Sequence, residues 1–143
     1  MKKILLWIWQ LPQHILGFLL LLGFELTKSI EKTTMHKNVK IHWVRHKSFP
    51  GISLGEFIII NKMLKERNPE DPYYDPHVAA HEYGHTLQSR MLGPLYLLIV
   101  GLPSITQNII SSILLKLGKP KFAKNYYNRF PENWADKLGN VNR

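Results

Sequence analysis

The chain has 143 residues, with 19 Lys and Arg against 10 Asp and Glu for a net charge of +9, and it contains no cysteine. That length suits one domain able to bury a core unaided. Without cysteine, disulfides, thiolate metal cages, iron–sulfur clusters and cysteine nucleophiles are excluded, so any metal must be held by His, Asp or Glu.

In chain order, the stretch from Ile4 to Phe24 comes first, 21 residues without Asp, Glu, Lys or Arg. Its Met-Lys-Lys start followed by an apolar run resembles a signal peptide. Gln10, Pro12, Gln13 and His14 interrupt that run, however, and no small-residue cleavage site follows. An uncleaved, membrane-associated segment over residues 1–30 is expected, with Trp7 and Trp9 at interfacial depth. The composition is polar from Glu25 to Lys40. Lys40 to His46 and Ile52 to Ile60 are then rich in β-branched and aromatic residues, which predicts a β-hairpin turning at Phe49, Pro50 and Gly51.

A loop is expected from Leu64 to Asp75. Asp75 is a good N-cap and Pro76 a good first helical residue, so a helix should run from there to about Met91 and end at Gly93-Pro94. A second uncharged window of 25 residues follows, Met91 to Leu115, with Gly101 and Pro103 inside it. A basic linker from Lys116 to Lys124 leads to a short last helix from Pro131 to about Gly139. These elements predict an α+β fold: hydrophobic helices beside a domain over residues 36–143, which itself contains a helical hairpin at about 91–117.

The lysines flank the apolar windows. Lys2 and Lys3 precede the first, Lys28, Lys32, Lys37 and Lys40 follow it, and Lys116, Lys119, Lys121 and Lys124 follow the second. This pattern fits an anionic bilayer surface. Neither a reading helix nor basic residues interleaved with aromatics points to nucleic acid.

The expected helix carries His81-Glu82-Tyr83-Gly84-His85, the HExxH pattern. Residues four apart share a helix face, so His81 and His85 can offer two imidazole nitrogens to one ion. Neutral imidazole suits zinc, and Glu82 falls beside the pair, where a general base for a zinc-activated water belongs. His77 is one turn earlier on the same face. It is read, like His36, His42 and His46, as a non-ligand. A catalytic zinc site takes three protein ligands and keeps one position open. Downstream of His85 the only carboxylates are Glu132 and Asp136, four apart in Glu132-Asn133-Trp134-Ala135-Asp136. Glu132 is the candidate third ligand and Asp136 the candidate acceptor for a ligand histidine's free N–H. The competing reading makes Glu132 a helix N-terminal charge and Asp136 a surface charge.

HEYGH followed by Glu-x-x-Ala-Asp resembles the motif pair of the gluzincin metallopeptidases, especially the integral-membrane group with the CAAX prenyl protease and HtpX. The order of apolar segment, hairpin, HEYGH helix and Glu-x-Trp-Ala-Asp is also similar to that of small bacterial proteins with a minimal zincin domain. The resemblance implies His81, His85 and Glu132 as zinc ligands, Glu82 as catalytic base and Asp136 as support for a histidine. It implies a peptide or protein substrate and a place at the bacterial inner membrane, and Lys2, Lys3 and the later lysines favour the cytoplasmic side for the active site. No motif supplies the donor that stabilises the oxyanion. Tyr126, Tyr127, Arg129 and Arg143 are the nearest candidates in sequence, Tyr127 first among them.

The zinc site constrains the membrane reading. The second window lies between His85 and Glu132, so one crossing of about 30 Å would separate ligands that must share an ion. A hairpin bent at Pro103 and dipped into the membrane satisfies both and is preferred to a pair of helices packed on the catalytic core, which also does. The Ile52 to Ile60 strand is a candidate edge for binding an extended substrate. Two other functions compete with the peptidase: a catalytically silent zincin fold that binds metal or a membrane partner, and a basic membrane-binding protein in which HExxH is accidental.

Overall fold

The computed structural model describes residues 2–46, 51–63, 70 and 76–143. Helix α1 (Lys2–Trp9) and helix α2 (Leu11–Leu26) meet at an angle of 83°. Pro12 sits in the first turn of α2, where its missing N–H costs nothing. Strands β1 (Ile30–His36), β2 (Val39–Val44), β3 (Gly51–Leu54) and β4 (Phe57–Asn61) form one sheet in the order β1-β2-β4-β3. Helix α3 (Val78–Leu92) carries the HEYGH segment. After a 3₁₀ turn at Gly93–Leu95, a π-type turn at Leu97–Gly101 runs straight into α4 (Leu102–Lys116). Short helix α5 (Lys121–Lys124), a 3₁₀ turn at Tyr126–Asn128 and α6 (Glu132–Gly139) complete the chain.

The fold is α+β, as expected, but the sheet is mixed. The predicted hairpin between Lys40–His46 and Ile52–Ile60 does not form. Gly55 takes a φ of +65°, which folds the second segment on itself as the antiparallel pair β3–β4. β4 then lies parallel to β2, with Ile41 opposite Ile58 and Trp43 opposite Ile60. β1 pairs antiparallel with β2 as an edge strand whose mostly exposed Ile-Glu-Lys-Thr-Thr-Met-His face gave little apolar signal. Of the expected turn at Phe49, Pro50 and Gly51, the first two residues lie outside the described residues, as do most of the Leu64–Asp75 loop and the Asp75 cap.

β4 explains where the core sits. It is flanked by strands on both edges and buried on both faces, so its Ile58-Ile59-Ile60 run is continuous rather than alternating. Ile58 and Ile60 join Val39, Ile41 and Trp43 against Val78 and Tyr83 of α3. Ile59 and Val44 face the opposite way, against Phe24, Leu20 and Leu21 of α2. The sheet is thus sandwiched between α2 and α3. Each of these fully buried isoleucines contributes roughly 1.5–3 kcal/mol. Within residues 1–30, α2 forms one layer of the core, and the sheet begins at Ile30.

The second apolar window also differs from expectation. Leu97 to Lys116 is one continuous helical run of 20 residues, not a hairpin bent at Pro103. Pro103 occupies the first turn of α4, directly after the π-type turn. A wider turn there removes the demand for the N–H that proline lacks.

Candidate metal centre

Helix α3 begins at Val78, two residues later than Pro76, with the His77 carbonyl accepting from the His81 N–H at 2.9 Å. The face it turns inward is polar: His81, Glu82, His85, Gln88 and Ser89 are all buried. Such a face is costly unless its groups are paired; Gln10 and Gln13 pair with Ser89, the Pro131 carbonyl accepts from Gln88, and α6 supplies the partners of the histidines. The two helices approach closely because both carry glycine at the crossing. A Cβ on Gly84 would lie 2.0 Å from the Ala135 carbonyl oxygen, and one on Gly139 would lie 2.2 Å from that of Ala80. Gly84 of HEYGH and Ala135 of the Glu-x-x-Ala-Asp segment are thus one packing contact.

That approach brings Glu132 to the histidines. Glu132 Oε2 is 3.0 Å from His81 Nε2 and 3.3 Å from His85 Nε2. The three ligand atoms lie within 4.8 Å of one another and all three residues are buried, so the cluster could hold a metal ion. Glu132 Oε1 is buried, and among the described residues no donor meets it in bonding geometry, which leaves an oxygen for an ion to occupy. Two imidazole nitrogens and a carboxylate oxygen are a donor set that suits zinc.

The far side of each imidazole is also fixed. His81 Nδ1 donates to Asp136 Oδ1 at 2.6 Å, and His85 Nδ1 donates to Gln88 Oε1 at 2.7 Å. Both Nε2 atoms therefore face Glu132 as potential metal-binding lone pairs. Gln88 in turn donates from Nε2 to the Pro131 carbonyl at 3.0 Å, which ties His85 to the residue preceding Glu132. Asp136 is held by Arg143, whose Nε donates to Oδ2 at 2.7 Å and whose Nη2 donates to Oδ1 at 3.2 Å. The Arg143 guanidinium also lies 3.3 Å over the Tyr127 ring, and Tyr127 packs edge-on against His81 at 5.1 Å.

The electrostatics follow from this arrangement. Burial pulls the His81 pKa down, but the hydrogen bonds to Asp136 and Glu132 and the charge of Glu82 outweigh it and push it up to about 9. Burial opposes ionisation of Glu132, yet hydrogen bonds from His81 and His85 hold its carboxyl well below the usual carboxylate range. Without metal, protonated imidazole takes the position of the cation.

The cluster opens into a cavity of about 720 Å³. His81, Glu82, His85 and Glu132 line one end, β3 one side, and Leu16, Leu20, Ile105 and Ile109 an apolar flank. Glu82 Oε1 would be 2.7 Å from a Cβ on Gly51, so the carboxylate lies against edge strand β3, and its charge acts on His81. Tyr126 and Tyr127 both line the cavity. The Tyr126 hydroxyl is 3.5 Å from Ser104 Oγ, and burial together with the charge of Glu132 pushes its pKa up, keeping it a proton-bearing donor.

Two of the four oxyanion candidates are engaged elsewhere. Arg143 binds Asp136 on the Nδ1 side of His81, away from the Nε2 that faces Glu132. Arg129 donates to the Phe122 carbonyl at 3.0 Å and stacks on the Phe122 ring. His77 is exposed at the start of α3, and His36, His42 and His46 sit in or beside the sheet against Tyr83, Thr33 and Phe24. Sequence reasoning missed Gln88, although its position one turn after His85 was a usable signal. It also missed Tyr96, whose buried hydroxyl donates to the Ser53 carbonyl of β3 at 2.9 Å. A tyrosine inside an apolar window needs such a partner for its polar tip. Comparison with protein-family models, with curated proteins and with solved structures finds no match, so the site rests on its own geometry.

Proposed function

We propose that this protein is a membrane-associated zinc metallopeptidase that hydrolyses peptide bonds with His81, His85 and Glu132 as metal ligands. The observation that carries the reading is the convergence of both Nε2 atoms on one Glu132 oxygen while both Nδ1 atoms are bound behind them. When bound, zinc supplies a Lewis acid that polarises the scissile carbonyl and brings the pKa of water toward about 7.

The chain's own residues do the rest. Glu82 accepts the proton released by the attacking water and returns it to the leaving amine nitrogen. Its place beside β3, in the same cavity wall as the histidines, suits that task. β3 is an edge strand of the sheet and borders the cavity, so an extended peptide can add to it through main-chain hydrogen bonds. Asp136 and Gln88 orient the two imidazoles, and Arg143 and Tyr127 brace Asp136 and His81. Tyr126, with its proton retained beside Glu132, is better placed than Tyr127 to donate to the oxyanion.

Glu82→Gln tests the reading. The variant should keep its zinc and lose cleavage of an apolar peptide by about 10²–10⁴-fold. Equal cleavage by the wild type and the variant would remove Glu82 from the chemistry. A wild type that binds zinc and cleaves nothing would favour the silent metal-binding alternative.

A further inference from the structure

Helices of a water-soluble domain bury their apolar face and show water a polar one. α2 does this only at its C-terminal end, where Phe24 packs on the sheet with Leu20 and Leu21 beside it. Gln13, His14 and Gly17 are buried, while Leu11, Ile15, Phe18, Leu19, Leu22 and Leu26 form one exposed stripe at helical spacing. Phe18 is 55% exposed and Gln13 not at all. The buried polar side has partners: Gln13 Nε2 donates to Ser89 Oγ at 3.3 Å and to the Gly93 carbonyl, and Ser89 Oγ donates to Gln10 Oε1 at 2.7 Å. α4 is inverted in the same way. Its buried residue is Ser111, whereas Leu102, Ile105, Ile109 and Ile113 form an exposed stripe. The α4 stripe borders the cavity through Leu102, Ile105 and Ile109, and α2 adds Leu16 and Leu20 to the wall beside its own stripe.

We infer that the face built by α1, α2 and α4 inserts into one leaflet of an anionic bilayer without crossing it, and that the cavity opens between α2 and α4 onto the acyl chains. Three observations select this occupant and this depth. The stripes carry no charge, and lysines stand at their ends: Lys3, Lys28, Lys116, Lys119, Lys121 and Lys124 in a chain of net charge +9. Trp7 and Trp9 are half-exposed on α1, as suits side chains at the lipid–water boundary. The chain path also forbids a crossing. α2 has 16 residues, about 24 Å, too short for a hydrocarbon core of about 30 Å. The run from Leu97 to Lys116 is long enough, yet ten residues later Tyr126 Oη is 3.5 Å from Ser104 Oγ, back at the first turn of α4. Gln107 Nε2 likewise donates to the Phe130 carbonyl. If α4 crossed, the returning segment would carry Lys119, Lys121 and Lys124 through hydrocarbon. Lying in the leaflet, α4 leaves them at the headgroups.

The consequence for substrate, which rests on the peptidase reading above, is that the peptide bond reaches His81, His85 and Glu132 from the lipid side, within an apolar segment held at the membrane.

The absence of cysteine makes single-cysteine labelling clean. The full chain, purified in mild detergent, is added to vesicles of phosphatidylcholine with or without phosphatidylglycerol. Nitroxide labels are placed at L98C and L117C, at opposite ends of the run, where the native side chains are 67% and 66% exposed. Flotation with the phosphatidylglycerol vesicles is expected, with both labels at similar shallow depth and both reduced by external ascorbate. The double variant F18E/I113E, altered at exposed positions outside the cavity wall, should lose flotation at least tenfold while keeping its zinc. One label protected from ascorbate would show a crossing helix and overturn the proposal. So would a soluble dimer that ignores vesicles, which would make the face an interface between copies. Zinc content is read on the same samples: zinc without flotation overturns the docking alone, and flotation without zinc overturns the peptidase reading alone.

Discussion

Asp136 Oδ1 lies 2.6 Å from His81 Nδ1, and Arg143 grips the same carboxylate from the other side. The pair fixes which nitrogen of His81 is left for a metal. Asp136→Asn keeps the shape but weakens the acceptor, and zinc affinity should fall about 10–100-fold in competition with a chelator, with little change in the thermal melt of the zinc-loaded protein's secondary structure. An unchanged affinity would make Asp136 a bystander.

Gln88 does for His85 what Asp136 does for His81, and it also holds the Pro131 carbonyl next to Glu132. Gln88→Ala should therefore lower zinc affinity by a similar 10–100-fold. Gln88→Glu restores the acceptor for His85 Nδ1 but loses the donor to Pro131, so chelator competition should place it between the wild type and the alanine variant.

Gly84 and Ala135 set the distance between the helix with two of the ligands and the helix with the third. Gly84→Ala puts a methyl group against backbone that cannot move without moving Glu132. A loss of about 1–3 kcal/mol in urea unfolding is expected, accompanied by weaker zinc binding. Gly23→Ala, where nothing lies within 4 Å of the added Cβ, serves as the control and should leave zinc affinity unchanged.

Tyr126→Phe removes the hydroxyl beside Ser104 and Glu132 and keeps the ring. The expected result is retained zinc, nearly unchanged KM and a kcat lower by about 10²–10³-fold. An equal loss from Tyr127→Phe and none from Tyr126→Phe would reverse the assignment.

The metal-free protein should have a stability profile set by the cluster. His81 has its pKa raised to about 9, so its contribution is fully present below its ordinary value of 6.5 and is lost as pH rises through 9. Glu132 has its pKa lowered, so its contribution is present above its ordinary value of 4.5 and is lost as pH falls below that. Thermal melts of the metal-free chain should thus be highest between about pH 5 and 6.5 and decline toward pH 9. Zinc replaces the proton as the partner of Glu132, so the zinc-loaded chain should show no alkaline decline in this window. A decline of equal size with zinc bound would place the alkaline loss outside the cluster.

The site was more legible in the sequence than the fold around it. His81, Glu82 and His85 follow from a spacing that any helix enforces, and the scarcity of downstream carboxylates narrowed the third position to Glu132 or Asp136. The sheet was harder, because its order depends on contacts between distant segments. One glycine, Gly55, turns an apparent nine-residue strand into a hairpin, and β2 pairs parallel with β4 rather than antiparallel with the neighbour expected from the chain order. β1 was missed because an edge strand with one solvated face has no need of apolar residues. Pro103 misled for a physical reason too, since a π-type turn ahead of it accommodates proline without a bend. The polar residues inside the first apolar window, Gln10, Gln13 and His14, read as interruptions of a membrane segment. In the fold they are its buried side.

The central claim is that His81, His85 and Glu132 hold one metal ion. Zinc-edge X-ray absorption on the full chain, together with zinc content for the wild type and Glu132→Ala, tests it most directly. One zinc per wild-type chain is expected, bonded to two imidazole nitrogens and a carboxylate oxygen, with loss of the carboxylate contribution and at least tenfold weaker binding in Glu132→Ala. A folded wild type that takes up no zinc, or a zinc site left unchanged by Glu132→Ala, would contradict it.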